Sequence, residues 1–395
     1  MFLEYFYNSN SNLILFNSNS NLIPKSITKL KFDKRFNQII KLNQISNNVK
    51  SIIFGKYFNS LIQVNSTLSL NLSSIEFGKN FNCPFNFETL ENVKTIKFGN
   101  LFMQSLENCH FPPNLTSLTF GNSFNSEIPS GYFLDIPLTV LVFGKFFNRP
   151  IDDKSLPSTL TSLDLGSSKF LNFEFSNKLP QLQSLIMGKG YNGTLKIGDL
   201  PTTLKQLSLW DNNSNRDSLS DFGIIPNGIT SLSFGDSFNQ LIENNILPET
   251  ITNLSFGLKF NKPIKINVLP SNLTSLSFNY HFNQPLEKGV LPNSLTSLSF
   301  EGVFNQNIQV GTLPNSITYL SLCYFYDKPF PIGSLPLSLK QLKIHSSKFN
   351  QDLSSSFDDY FTCSLETIYI SKNSNLINIL NSNFFSKFIK FYNIN

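Results

Sequence analysis

Apolar residues recur along this chain in one short fixed pattern, without a helical rhythm. In the stretch that opens at Leu247 they stand at Leu247, Ile251, Leu254, Phe256, Phe260 and Ile264. Leu254 and Phe256 alternate with Asn253 and Ser255, the period of two expected of a strand buried on one face. Gly257 follows at once, and a residue without Cβ permits a tight bend. Pro248 and Pro263 bracket the remainder and argue against a long helix there. No stretch sustains the 3.6-residue period of an amphipathic helix, so the arm returning to the next strand is expected to be extended or 3-10-like.

The pattern repeats. Units open with Leu-Pro or Ile-Pro at Ile225, Leu247, Leu269, Leu291, Leu313 and Leu335, each 22 residues after the last. Upstream the same unit recurs from Ile23 to Leu200 with slips of a few residues, which makes fifteen copies in all. A degenerate sixteenth lies around Leu365 and Ile368. One copy has too few apolar side chains to bury its own face, so stability must come from stacking copies on one another. The prediction is a mainly β solenoid, a stack of about 15 units of ~22 residues with one short strand per unit and few or no long helices. Residues 23–353 form the array, residues 1–22 an N-terminal cap or degenerate coil, and residues 354–395 the degenerate last repeat and a C-terminal cap.

An asparagine follows the second Phe of most copies, as at Asn59, Asn82, Asn148, Asn261, Asn283 and Asn305. A buried Asn at one height in every coil can bond backbone groups of its own turn and of the next. That is a structural role, not a catalytic one.

Composition narrows the function. Charged residues are 14% of the 395 and the net charge is +5, too small to imply nucleic acid or a membrane surface. No run approaches the ~20 apolar residues of a spanning helix, and the N-terminus lacks a basic region of the signal-peptide type. Cys83, Cys109, Cys323 and Cys363 form no C-x-x-C pair and read as free thiols in a reducing compartment, so a cytoplasmic location is expected. There is no P-loop, no H-E-x-x-H and no nucleophile elbow. The expectation is a protein that is not an enzyme and needs no cofactor or metal.

The unit L-P-x-S-L-T-S-L-S-F-G-x-x-F-N-Q-P-I resembles the FNIP repeat, whose core stands here as Phe260-Asn261-Lys262-Pro263 and Phe282-Asn283-Gln284-Pro285. Its L-T-S-L-S-F segment is similar to the stem of leucine-rich repeats. The resemblance covers about residues 23–353 and implies a leucine-rich-repeat-like solenoid, in some members attached to F-box-like or kinase segments. With some 22 residues before the first copy, neither attachment is expected here. The resemblance also leaves open a second role, as a substrate-recognition adaptor of a ubiquitin ligase.

Solenoids bind with their strand-lined face, and here its outward positions are mostly Ser. Departures from that background mark the candidate binding residues. The position after the strand, usually Gly, becomes Asn279, Glu301, Cys323 and His345 in four successive copies. Tyr280, Tyr319, Tyr324, Phe325 and Tyr326 lie beside this column. Some of these rings belong to the core, and Tyr326 takes the place of a buried Phe. Glu, Cys and His in line also admit a cysteine-nucleophile or metal reading, though a polar stripe on a protein-binding surface is the simpler one. Trp210, the sole Trp, replaces the same Gly in a lengthened copy and is a candidate anchor. Finally, Lys29, Lys31, Lys34, Arg35, Lys56 and Lys79 recur at related heights. They read first as solubilising charge, and otherwise as a ridge for an anionic partner. The partner class expected is protein, of unknown identity and without nucleic acid.

Overall fold

The computed structural model describes residues 2–4, 26–42, 45–64, 71–151, 154–167, 175–188, 195–209, 223–346, 349, 353, 364–371 and 389–392. They fall into two compact units, Met1–Gly193 and Thr194–Asn395.

Each unit is a β-solenoid. In the first, parallel strands such as Lys29–Lys31, Ser51–Ile53, Ser74–Glu76 and Thr95–Lys97 pair in register, with Leu30, Ile52, Ile75 and Ile96 aligned. In the second, Ser231–Ser233, Asn253–Ser255 and Ser275–Phe278 align Leu232, Leu254 and Leu276 in the same way. The central apolar residue of every one of these strands is buried, and its neighbours on either side are not. Helix is short throughout the described residues, comprising the 3-10 turn Leu106–Asn108, the single 3-10 residue Leu42 and the four-residue Phe175–Lys178.

Phenylalanine fills the interior. Within a coil the two Phe rings stack closely, as Phe256 on Phe260 at 4.0 Å and Phe278 on Phe282 at 3.9 Å. Between coils each ring stacks on its counterpart, Phe256 on Phe278 at 5.3 Å and Phe260 on Phe282 at 5.9 Å. The first unit has the same double column, with Phe54 on Phe77 at 5.3 Å and Phe58 on Phe81 at 5.8 Å. The near-parallel planes follow from the repeat itself, since identical side chains one coil apart must adopt the same rotamer.

The glycine after the strand has a steric cause. A Cβ on Gly257 would lie 1.9 Å from the carbonyl oxygen of Gly235 in the coil before, so the chain can turn here only without a side chain. In the last four coils of the second unit that replace this Gly, the strand runs one residue longer before the turn. Ser275–Phe278, Ser297–Phe300, Tyr319–Leu322 and Gln341–Ile344 each run four residues, against three in Ser231–Ser233 and Asn253–Ser255.

Two features go beyond the expected single strand per unit. In the first unit, Ile40–Lys41 pairs with Ile62–Gln63, and Phe85–Asn86 with Cys109–His110. Each pair buries its first residue and exposes its second, so the return arm there alternates as a strand does. In the second unit the return arm closes on a ladder of turns. The amide of Val268 donates to Lys265 O at 3.4 Å and that of Thr312 to Gln309 O at 3.1 Å. The third residue of each turn has positive φ: Asn245 at 68°, Asn267 at 67°, Gly289 at 85°, Gly311 at 80° and Gly333 at 74°. That is the geometry of a type II turn, which Gly and Asn tolerate best.

Polar side chains join the coils along the edges of this core. The Oδ1 of Asn261 accepts the amide of Asn283 at 2.9 Å, and Asn283 in turn accepts that of Asn305 at 2.9 Å. Asn37, Asn59 and Asn82 do the same in the first unit. The bonds run to the next coil, and these asparagines are half-buried or exposed, not buried as the sequence suggested. The same Oδ1 also takes a side-chain donor of the next coil, as Asn261 does from Gln284 and Asn283 from Gln306. A second ladder is made by threonines, where Thr252 Oγ1 donates to Thr230 O at 3.1 Å and Thr274 Oγ1 to Thr252 O at 3.0 Å.

Candidate functional site

The turn after the strand is where successive coils differ most, and in the second unit it carries large apolar side chains. Gly257 is followed by Leu258 and Lys259, Asn279 by Tyr280 and His281, Glu301 by Gly302 and Val303, and Cys323 by Tyr324 and Phe325. Backbone bonds hold the first three of these turns at one height, with His281 N donating to Leu258 O at 2.9 Å and Val303 N to Tyr280 O at 2.8 Å. Leu258 is 40% exposed, Tyr280 45%, Tyr324 46% and Phe325 53%. Such rings so far out of the core form a ridge of the composition that protein interfaces favour.

The candidate residues take different places around it. Asn279 is half-buried, and its Oδ1 accepts the amide of Tyr280 at 2.8 Å, which fixes the turn that presents the ring. Tyr280 meets His281 edge to face at 5.1 Å. Glu301 is exposed. Tyr319 is half-buried on the strand face, between Ser297 and Gln341 in the register. Tyr324 lies 5.1 Å from the His345 ring. Tyr326 is wholly buried and continues the Phe column, 6.1 Å from Phe304. Trp210 lies outside the described residues, as does Cys363.

Cys323 departs from the column to which its position assigns it. Its side chain is wholly buried, and the thiol donates to Phe304 O at 3.1 Å inside the solenoid. Burial pushes the thiol above its usual pKa, against several backbone bonds that act the other way. His345 is half-buried, with Nε2 3.4 Å from Ser321 Oγ. Burial lowers its pKa to about 4, helped by the positive charge of Lys343. A thiol held protonated and an imidazole held neutral are the reverse of an activated thiolate–imidazolium pair. Among the described residues, no three His, Cys, Asp or Glu side chains converge on a point where they could hold a metal ion.

Sequence reasoning did not single out Leu258. The signal available was a large apolar residue at a turn position that is Lys, Asn, Ser or Asp in every earlier copy.

No helix of the described residues is long and apolar enough to cross a membrane. The FNIP Repeat family matches residues 36–67, 102–133, 136–168, 221–259, 260–302 and 304–347. An FNIP repeat-containing protein of Dictyostelium discoideum is 30% identical over 199 residues, 47% of this chain and 48% of its own length. A second protein of that description and organism is 31% identical over 107 residues, 26% of this chain and 20% of its own. The chain thus spans about half of the first relative and a fifth of the second. Among solved structures, CroV588, a circular leucine-rich-repeat protein, is 32% identical with a TM-score of 0.63, over 88% of this chain and 53% of that one. TLR13 from its complex with ssRNA13 shares the fold at 16% identity and a TM-score of 0.53, over 93% of this chain and 59% of its own. With its repeats matched over more than half of its residues, the chain belongs to the FNIP repeat family.

Proposed function

We propose that this protein is a non-enzymatic scaffold that binds a protein partner through the post-strand ridge of its second unit and the strand face beside it. The observation that carries the reading is the exposure of Leu258, Tyr280, Tyr324 and Phe325 on the post-strand turns, with those of Leu258 and Tyr280 tied to the next coil by backbone bonds. Tyrosine supplies much contact area for little lost side-chain freedom, which is why interface anchors are rich in it. Asn279, Glu301, Tyr319 and His345 supply polar contacts around the rings, and Trp210 is a further anchor. Cys323 contributes to the shape of the ridge from beneath. The leucine-rich-repeat likeness supports a binding role at the level of fold only.

The test is photocrosslinking in cells, with a photoreactive phenylalanine analogue placed at Tyr280 or at Tyr324 in turn. The same probe at Ser74 and Ser162, on the strand face of the first unit, serves as the reference. A discrete adduct at the ridge positions, lost when Phe325 is changed to Ser, is expected. Equal labelling at the Ser positions would reject the site.

A further inference from the structure

The first unit carries a different ridge at the same place in the coil. Its post-strand turns present Lys34, Lys56 and Lys79 in three successive coils, all exposed. Tyr57 N donates to Lys34 O at 2.9 Å, Asn80 N to Lys56 O at 3.0 Å and Leu101 N to Lys79 O at 2.9 Å. The three lysines therefore stand in one column, at about the ~4.8 Å interval of paired strands. In the second unit the equivalent positions are Asp236, Leu258, Tyr280, Gly302 and Tyr324, with no lysine.

Like charges stacked at this interval repel one another. Within the described residues none of the three lysines is paired with a carboxylate. Asp33, next to Lys34 in the sequence, is engaged in its own turn, where Oδ1 accepts the amide of Arg35 at 2.8 Å. Arg35, also exposed, adds its charge next to Lys34. The field is felt by Tyr57, whose ring lies 4.8 Å from Lys56 Nζ. Its hydroxyl pKa is lowered by the hydrogen bond and charge of Lys56, then by Lys34 and Arg35. Solubility alone does not require the charges to be stacked, because lysines spread over alternate coils would serve it without the repulsion.

We propose that this column binds an acidic helix of a protein partner, lying along the stacking direction of the coils. The register is what selects a helix. One α-helical turn advances 5.4 Å, so one carboxylate per turn drifts from one lysine per coil by only about 1.2 Å between Lys34 and Lys79. Flexible lysine stems absorb that. An extended acidic strand repeats its face every ~6.7 Å and drifts by about 4 Å over the same span. Single-stranded nucleic acid asks for a stacking ring at successive bases. The positions beside the lysines read Arg35, Tyr57, Asn80 and Leu101, with one ring among four. Tyr57, 44% exposed, and Leu101, 41% exposed, instead suit apolar side chains one step around the same helix.

The test uses the full chain and three fluorescent probes at low salt, read by anisotropy. The first is a helical peptide of about 20 residues with Glu once per turn and Leu beside it. The second has the same composition in shuffled order, and the third is an oligouridylate of equal charge. The helical peptide is expected to bind more tightly than either. K34E/K56E/K79E should weaken it by about tenfold or more, while K259E/K262E/K265E, a matched charge change in the other unit, should leave it unchanged. Circular dichroism confirms that both variants keep their β signal. Equal binding of the shuffled peptide, tighter binding of the oligouridylate, no binding of the helical peptide, or indifference to the Lys34/Lys56/Lys79 change would each overturn the proposal. The photocrosslinking test in the second unit is untouched by any of these results.

Discussion

At the scale of single residues, the repeat lets each side chain be compared with its own counterpart one coil away. Tyr326 stands where Phe304 and Phe349 stand, 6.1 Å from each ring, but brings a hydroxyl into the column. That hydroxyl is buried and has no hydrogen-bond partner among the described residues. A buried donor left unmade costs about 1–3 kcal/mol. Tyr326→Phe is therefore expected to raise stability by about 1 kcal/mol, seen as a higher urea midpoint with an unchanged slope. Asn283 is the opposite case. Its Oδ1 accepts both Asn305 N at 2.9 Å and Gln306 Nε2 at 3.1 Å, and Gln306 Nε2 also reaches Asn283 O at 3.1 Å, so Asn283→Ala orphans the Asn305 amide and should cost about 1–2 kcal/mol. His345 gives the fold a pH dependence. Its pKa falls from 6.5 to about 4 on folding, so between those values the unfolded chain binds the proton and the folded chain does not. Its contribution is whole above the upper value and is lost as pH drops towards the lower one. For a half-exposed ring the loss is on the order of 1 kcal/mol. Subtracting the pH profile of His345→Gln from that of the parent isolates it, and identical profiles would remove this account of the histidine.

At the scale of the element, two kinds of turn constrain the sequence in different ways. At Gly257 the limit is space, because a Cβ would meet Gly235 O at 1.9 Å. Gly257→Ala should cost about 3 kcal/mol or more, since backbone must move to admit it. At Gly289 the limit is conformation, with φ +85° and nothing within 4 Å of an added Cβ. Gly289→Asn should be nearly neutral, because Asn245 and Asn267 already occupy this position in neighbouring coils at φ 68° and 67°. Gly289→Val should cost about 1–2 kcal/mol. Thermal melts of the three variants rank them directly. This contrast explains what could be read beforehand. The strand and its bend were legible because Leu254, Phe256 and Gly257 recur as the same letters in copy after copy. The left-handed corner was not, because Asn and Gly both satisfy it and no single letter marks it. The column after the strand was legible as a column, but Cys323 was not legible as buried. Where Asn279 and Glu301 stay half-buried or exposed, a thiol is small and apolar enough to turn inward.

At the scale of the whole molecule, coils that lean only on their neighbours make each unit a chain of similar links. In the second unit Leu254, Leu276 and Leu298 are in register, as are Phe256, Phe278 and Phe300 in the ring column. The same spacing of 22 residues separates their turns, their Asn bonds and their Thr bonds. Removing residues 269–290, one complete period, therefore joins the coil of Leu254 to that of Leu298 with every ladder continuous. The shortened chain should fold, unfold in urea with a smaller slope because it exposes less surface, and lose stability by roughly one coil's share. Removing only residues 269–279 deletes half a period. It would set the strand of one coil against the return arm of the next and put Phe rings opposite turns, so no cooperative transition is expected. Both deletions shorten the same region, and the smaller one takes fewer residues. If stability followed the number of residues kept, the smaller deletion would be the milder. The stacked-coil account requires the reverse order, and urea titration of the two variants decides between them.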